Sequence, residues 1–172
     1  MKIANFFGIS YHFMPSVLAN VNNTTTALTE SLVKEGNKIL FFDGAMPADD
    51  TLYAITTEVG LRAAYTPIME IAGLQFTYTY TKSTKKKMIK KLPVDAIDTT
   101  FLGSGTIGWA AIILTGATGV SGDIILFTDS IGGWGDDDMP IIIDTKTGNI
   151  GDKNVFKDFS LILRDTSSNE VA

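Results

Sequence analysis

A chain of 172 residues that is 45% hydrophobic and 19% charged carries enough apolar matter for one globular domain with a single core, which excludes a wholly disordered tail. It has no cysteine and one histidine, His12, so disulfide scaffolds, thiol-ligated metals and most imidazole-based catalysis are excluded. With 14 Lys and Arg against 19 Asp and Glu the net charge is -5, which argues against nucleic acid as the main partner.

The first residues combine Lys2 with an apolar stretch, but Asn5, His12 and Pro15 interrupt it, which argues against a cleaved leader. No stretch reaches the roughly 18 uninterrupted apolar residues of a membrane helix. Residues 1–22 therefore read as an extended N-terminal arm, whose Phe6, Phe7, Tyr11, Phe13 and Met14 must bury themselves on their own domain or on a neighbouring subunit. Residues 23–172 read as one domain. It opens with a helix over Asn23–Glu35, where Ala27, Leu28, Leu32 and Val33 fall near helical spacing and Gly36 stands at the stop position.

From Lys38 onward, short β-branched and apolar runs alternate with turn residues. Strands are predicted over Ile39–Phe42, Leu74–Thr81, Ile107–Leu114, Asp123–Thr128, Pro140–Asp144 and Asn154–Arg164. Leu74, Phe76, Tyr78 and Tyr80 alternate with Gln75 and three threonines, which gives that strand one core face and one polar face. Ile124–Phe127 and Ile141–Ile143 are continuously apolar, which fits strands covered on both faces or lying at a subunit contact. Without a βαβ rhythm, the fold class expected is mainly β: an antiparallel β-sandwich of jelly-roll or Greek-key kind.

Several segments offer chemistry and a blander reading beside it. Asp136-Asp137-Asp138, after Gly132-Gly133-Trp134-Gly135, supplies oxygen ligands for a hard cation, but consecutive side chains diverge, and a solvated acidic turn is expected. Asp144–Asn149 lacks the alternating acids of a calcium loop and reads as a hairpin turn. Lys82, Lys85, Lys86, Lys87, Lys90 and Lys91 form a basic patch that reads as a solvated hairpin or a strand edge guarded by lysines, with an acidic neighbouring subunit as the second reading and encapsidated DNA as the third. Gly103–Gly108 has no Lys-Ser/Thr after it and reads as a turn before a strand. Asp43, Asp95 and Asp98 define no acid and base pair. No enzyme activity, catalytic residue, cofactor or metal is assigned.

Ala27–Gly36 followed by Lys38–Pro47 places a helix, a strand and an Asp-Gly-x-x-Pro turn in sequence, Gly103–Ala110 carries a Ser-Gly-Thr-x-x-Trp strand, and Phe156, Phe159, Leu161 and Leu163 close with an alternation. Across residues 24–165 this order resembles a family of small β-rich virion structural proteins of tailed bacteriophages. The aromatic arm, the segment at 82–91 and the Gly-Trp-Gly-Asp-Asp-Asp loop depart from it. The resemblance implies a bacteriophage virion structural protein, a cement or decoration protein or a neck, tail or baseplate component. Its expected partners are copies of itself and other virion proteins, with no membrane, and its expected location is the virion. Candidate interface residues are Phe6, Phe7, Tyr11 and Phe13 in the arm, Trp134 in the acidic loop, and Lys85, Lys86 and Lys87 facing an acidic partner. The alternative is a carbohydrate- or ligand-binding jelly-roll module using Trp109, Trp134 and a loop cation.

Overall fold

The computed structural model describes residues 2–6, 9–13, 33–81, 86–92, 94–114, 124–133, 135 and 139–164. The strands among them are β1 (Lys2–Phe6), β2 (Ile9–Phe13), β3 (Asn37–Asp43), β4 (Met69–Thr81), β5 (Lys86–Leu92), β6 (Ile97–Thr100), β7 (Gly105–Leu114), β8 (Ile124–Thr128), β9 (Ile131–Gly132), β10 (Ile141–Ile143), β11 (Thr147–Gly148) and β12 (Lys153–Arg164). Two short helices, α1 (Asp49–Tyr53) and α2 (Glu58–Ala64), lie between β3 and β4. The chain is thus mainly β, and its strands form a curled, 12-stranded and predominantly antiparallel sheet in the order β1-β2-β8-β7-β3-β4-β5-β12-β10-β9. β11 pairs with β7 and β6 with β12, and β9 and β10 form a parallel pair.

The predicted strands at 39–42, 74–81, 107–114, 123–128, 140–144 and 154–164 fall within or over β3, β4, β7, β8, β10 and β12. Their apolar runs are buried because both faces are covered. Ile39 to Phe42, Ile107, Trp109 to Leu114 and Ile125 to Phe127 are all at most 1% exposed. Coverage of Ile125–Phe127 and Ile141–Ile143 therefore comes from within the chain. The sheet curls so that strands not hydrogen-bonded to each other meet in the core: Phe41 on β3 meets Phe156 on β12 edge-on at 6.5 Å, and Phe76 on β4 meets Phe159 on β12, on the far side of β5, at 4.8 Å.

Two long strands are each shared between ladders. β4 pairs with β3 up to Leu74 and with β5 from Gln75 onward. The change follows Gly73, whose φ of +70° is open to glycine at little cost. β12 pairs with β6 and β10 through its first half and with β5 over Ser160–Arg164.

Two expectations are revised, and a third falls almost wholly outside the described residues. The lysine-bearing segment does not guard an edge, because β5 is hydrogen-bonded to β4 on one side and β12 on the other. The predicted helix over Asn23–Glu35 lies outside the described residues except for Val33–Glu35, which form a turn leading to Gly36 at φ +92°. Among the described residues, helices lie at 49–53 and 58–64, where Thr57 caps α2 by accepting from the amide of Gly60 at 3.0 Å. Asp144–Asn149 does belong to the connection that turns β10 back onto β12, but its tip, β11, reaches across to pair with β7.

Candidate functional site

The N-terminal segment is built into the sheet. β1 and β2 form an antiparallel hairpin, and β2 joins β8 through the pairs His12↔Phe127 and Phe13↔Leu126. Phe6, Tyr11 and Phe13 thus come together on one hairpin at the end of the sheet, whereas Phe7 and Met14 lie outside the described residues. Lys86 and Lys87 lie in β5 at the other side of β8, β7, β3 and β4. There Lys86 is in register with Thr81 and Arg164, and Lys87 with Tyr80 and Leu163. The hairpin and the lysine strand are thus far apart in strand order, but the curl of the sheet brings β1 close to β12, the strand that pairs with β5. Lys82, Lys85, Trp134 and Asp136–Asp138 lie outside the described residues.

Trp109 is not available to a sugar. It is 1% exposed, stacked on Phe42 at 4.1 Å and 16°, met edge-on by Tyr65 at 5.3 Å, and tilted against Phe127 at 6.4 Å. The expectation that it lines a carbohydrate site is corrected: the strand alternation that makes Ile107 and Trp109 neighbours on one face places both in the core.

Of the three candidate aspartates, Asp43 serves the backbone, accepting from the amide of Thr106 at 2.7 Å. Asp95 contributes its carbonyl to Lys91, and Asp98 is paired in β6 with Val155. No group of three or more His, Cys, Asp or Glu able to hold a metal occurs among the described residues.

Lys91 departs from the expectation of a solvated basic patch. It is 2% exposed, and its ammonium donates to the carbonyls of Val94 at 2.8 Å and Asp95 at 2.5 Å while lying 5.7 Å from the Phe156 ring centroid. Burial pushes its pKa down, the charges of Asp158 and Asp95 oppose this, and the net value stays below that of an ordinary lysine. Its signal in the sequence was the period of two: Ile89 and Lys91 occupy alternate positions, and Lys91 is in register with buried Phe76.

A second polar cluster also went unread in the sequence. Arg62 on α2 donates to Glu58 at 2.8 Å and to Glu70 on β4 at 2.8 Å, while Lys38 on β3 donates to Glu58 at 3.1 Å. Burial alone would raise the pKa of Glu58, but the hydrogen bonds from Arg62 and Lys38 and their charges outweigh it and hold it below the usual value. The cluster fastens α2 to the sheet. Asn154 is likewise consumed, donating to the Thr145 carbonyl at 2.8 Å and accepting from the Thr145 amide at 3.1 Å.

No family model matches the chain, no curated protein matches it in sequence, and no solved structure matches it in fold.

Proposed function

We propose that this chain is a structural protein of a tailed-bacteriophage particle that works through repeated contacts with copies of itself and other virion proteins. A jelly-roll or Greek-key sandwich belongs to the same reading, as does the role of residues 1–22 as an arm. The supporting observation is the placement of the N-terminal aromatics on a hairpin that extends the sheet at β8. A terminal strand pair on a sheet edge is the position from which one subunit reaches another. The resemblance of residues 24–165 to small virion proteins supports the particle assignment. The internal use of Lys91, Asn154 and the Glu58–Arg62–Glu70 cluster supports a role in which polar groups hold the fold rather than perform chemistry.

The test is light scattering on a sizing column with negative-stain imaging of the full-length chain. A defined oligomer, ring or tube is expected, reached through symmetric contacts. A chain that remains monomeric at every concentration, and that binds glycans saturably, would replace this reading with the ligand-binding one.

A further inference from the structure

We infer that the outward face of the β4–β5–β12 ladder is a docking surface for an acidic polypeptide segment of another protein, one that lies extended along β5 and carries a carboxylate two positions to either side of an apolar residue. The inference names a partner chemistry for the contacts with other proteins proposed above and rests on that reading. Register sorts the residues of the ladder between its two faces. Phe76 and Lys91 are in register and buried, and Phe159 of β12 is buried with its ring 4.8 Å from that of Phe76, so these three mark the core face. One position along, Thr77, Lys90 and Ser160 form a row in which Thr77 is exposed, and this row marks the outward face. The period of two then places Thr79, Met88 and Ile162, followed by Thr81, Lys86 and Arg164, on the outward face in two further rows. Lys87, in register with Tyr80 and Leu163, falls on the face of Lys91. The basic run is thus divided, and Arg164, from far along the chain, is brought beside Lys86.

Lys86 and Arg164 stand directly opposite each other across the β5–β12 ladder, with Thr81 completing the row. Like charges in that position destabilise a sheet, and the row contains no acid to offset them. Asp158 on β12 lies beyond the Lys90 row, at the other end of the face, and its carboxylate accepts from the Phe159 amide at 2.8 Å. A carboxylate brought between Lys86 and Arg164 relieves their repulsion. A second carboxylate is matched by Lys90, four residues along β5 and about 14 Å away, and the row between them offers Met88 and Ile162 to an apolar group. An extended chain advances about 7 Å for every two residues, so acid, apolar and acid at alternate positions meet the three rows in turn. Nucleic acid fits this face less well, because a phosphate backbone has no use for the apolar row and a chain with a net charge of -5 opposes a long polyanion.

The test titrates the full-length chain into a fluorescently labelled peptide, Thr-Glu-Thr-Leu-Thr-Glu-Thr, and reads anisotropy at low and at physiological salt. A peptide of the same composition with its glutamates adjacent and a labelled single-stranded DNA oligonucleotide run beside it. Saturable binding of the alternating peptide is expected, weaker at the higher salt. Lys86→Gln, Lys90→Gln and Arg164→Gln should each weaken it about three- to fivefold, and a failure of one variant to fold leaves the other two. Lys87→Gln, which removes the same charge from the opposite face, should leave binding unchanged. Arg164→Gln should also unfold in urea at a midpoint no lower than wild type, because it relieves the like-charge pair. Absence of saturable binding, equal binding of the two peptides, equal losses from Lys87→Gln and Lys86→Gln, or tighter binding of the oligonucleotide would each overturn the inference. Light scattering on the same samples separates it from the reading on which it rests. A chain that forms a defined oligomer but ignores the peptide loses this face and keeps the self-contact, whereas a monomeric chain that takes the peptide keeps this face and loses the self-contact.

Discussion

The β3–β7–β8 region and the β4–β5–β12 region solve the problem of a covered strand in opposite ways. In the first, every described side chain from Ile39 to Phe42 and from Trp109 to Leu114 is apolar and buried, and the aromatic group of Phe42, Trp109, Tyr65 and Phe127 fills the space between. In the second, a strand of sequence Lys-Lys-Met-Ile-Lys-Lys-Leu hydrogen-bonds on both sides, and its buried cation, Lys91, donates to the carbonyls of Val94 and Asp95 and is favoured by the charges of Asp158 and Asp95. Backbone pairing and side-chain burial are therefore separate properties of a strand. A central place in the hydrogen-bond ladder does not require an apolar sequence.

The contrast can be broken most severely at its apolar end. Trp109→Ala removes the ring that touches three aromatic neighbours, and the expected loss is about 3–5 kcal/mol, read as the shift of a urea unfolding midpoint. A smaller effect is expected at Gly108, where an added methyl would overlap the carbonyl oxygen of Gly44. Gly108→Ala should cost about 1–3 kcal/mol through backbone displacement, whereas Gly133→Ala, with nothing near its added carbon and no left-handed φ, should stay within about 0.5 kcal/mol.

At the polar end, Lys91→Met keeps the length of the side chain and deletes its charge. It relieves the desolvation of the ammonium but strips a donor from the carbonyls of Val94 and Asp95, for a net loss of about 1 kcal/mol at neutral pH. The sign of its pH dependence follows from the direction of the shift. Folding lowers the Lys91 pKa below its ordinary 10.5, so in the interval beneath that value the unfolded chain holds more protons and stability rises with pH. Wild type should accordingly gain on Lys91→Met as pH climbs toward 10.5, in paired denaturation curves; a parallel pair of curves would refute this.

Among the charged groups the smallest effect belongs to Glu58. Its folded pKa is lowered from 4.5, so its contribution is present above that value and lost as pH falls through the folded one. Because its partners are partly exposed, at 25% for Lys38 and 34% for Arg62, Glu58→Gln should cost less than about 1 kcal/mol at neutral pH. The difference from wild type should shrink below pH 4.5 and at high salt.

The same contrast explains what could be read from the residues alone. Continuous runs such as Ile107–Leu114 announce strands because burial on both faces demands apolar side chains at every position. The mainly β character followed from these. β5 escaped because its lysines hide a period of two, and the burial of Lys91 depends on carbonyls of the following loop, whose position no pattern within the strand encodes. The helix α2 escaped because Leu61 is its one buried residue, too little for a helical period to register. Trp109 was misplaced because an aromatic beside glycine reads equally as a platform or as core, and only the neighbouring Phe42 and Tyr65 decide. The aromatics of residues 1–13 were visible as a cluster, but the place of their hairpin in the sheet depends on β8, far along the chain.

The sharing of β4 and β12 between ladders has a consequence for biosynthesis. As the chain emerges from the ribosome, β3 and β5 are made well before the partners that flank them, β7 and β12. The N-terminal hairpin waits longer still for β8. Pairings this distant in sequence slow folding, and the nascent chain carries open strand edges until the last described strand, Lys153–Arg164, is released. The open edges are thus most exposed to mispairing during the interval between synthesis and closure.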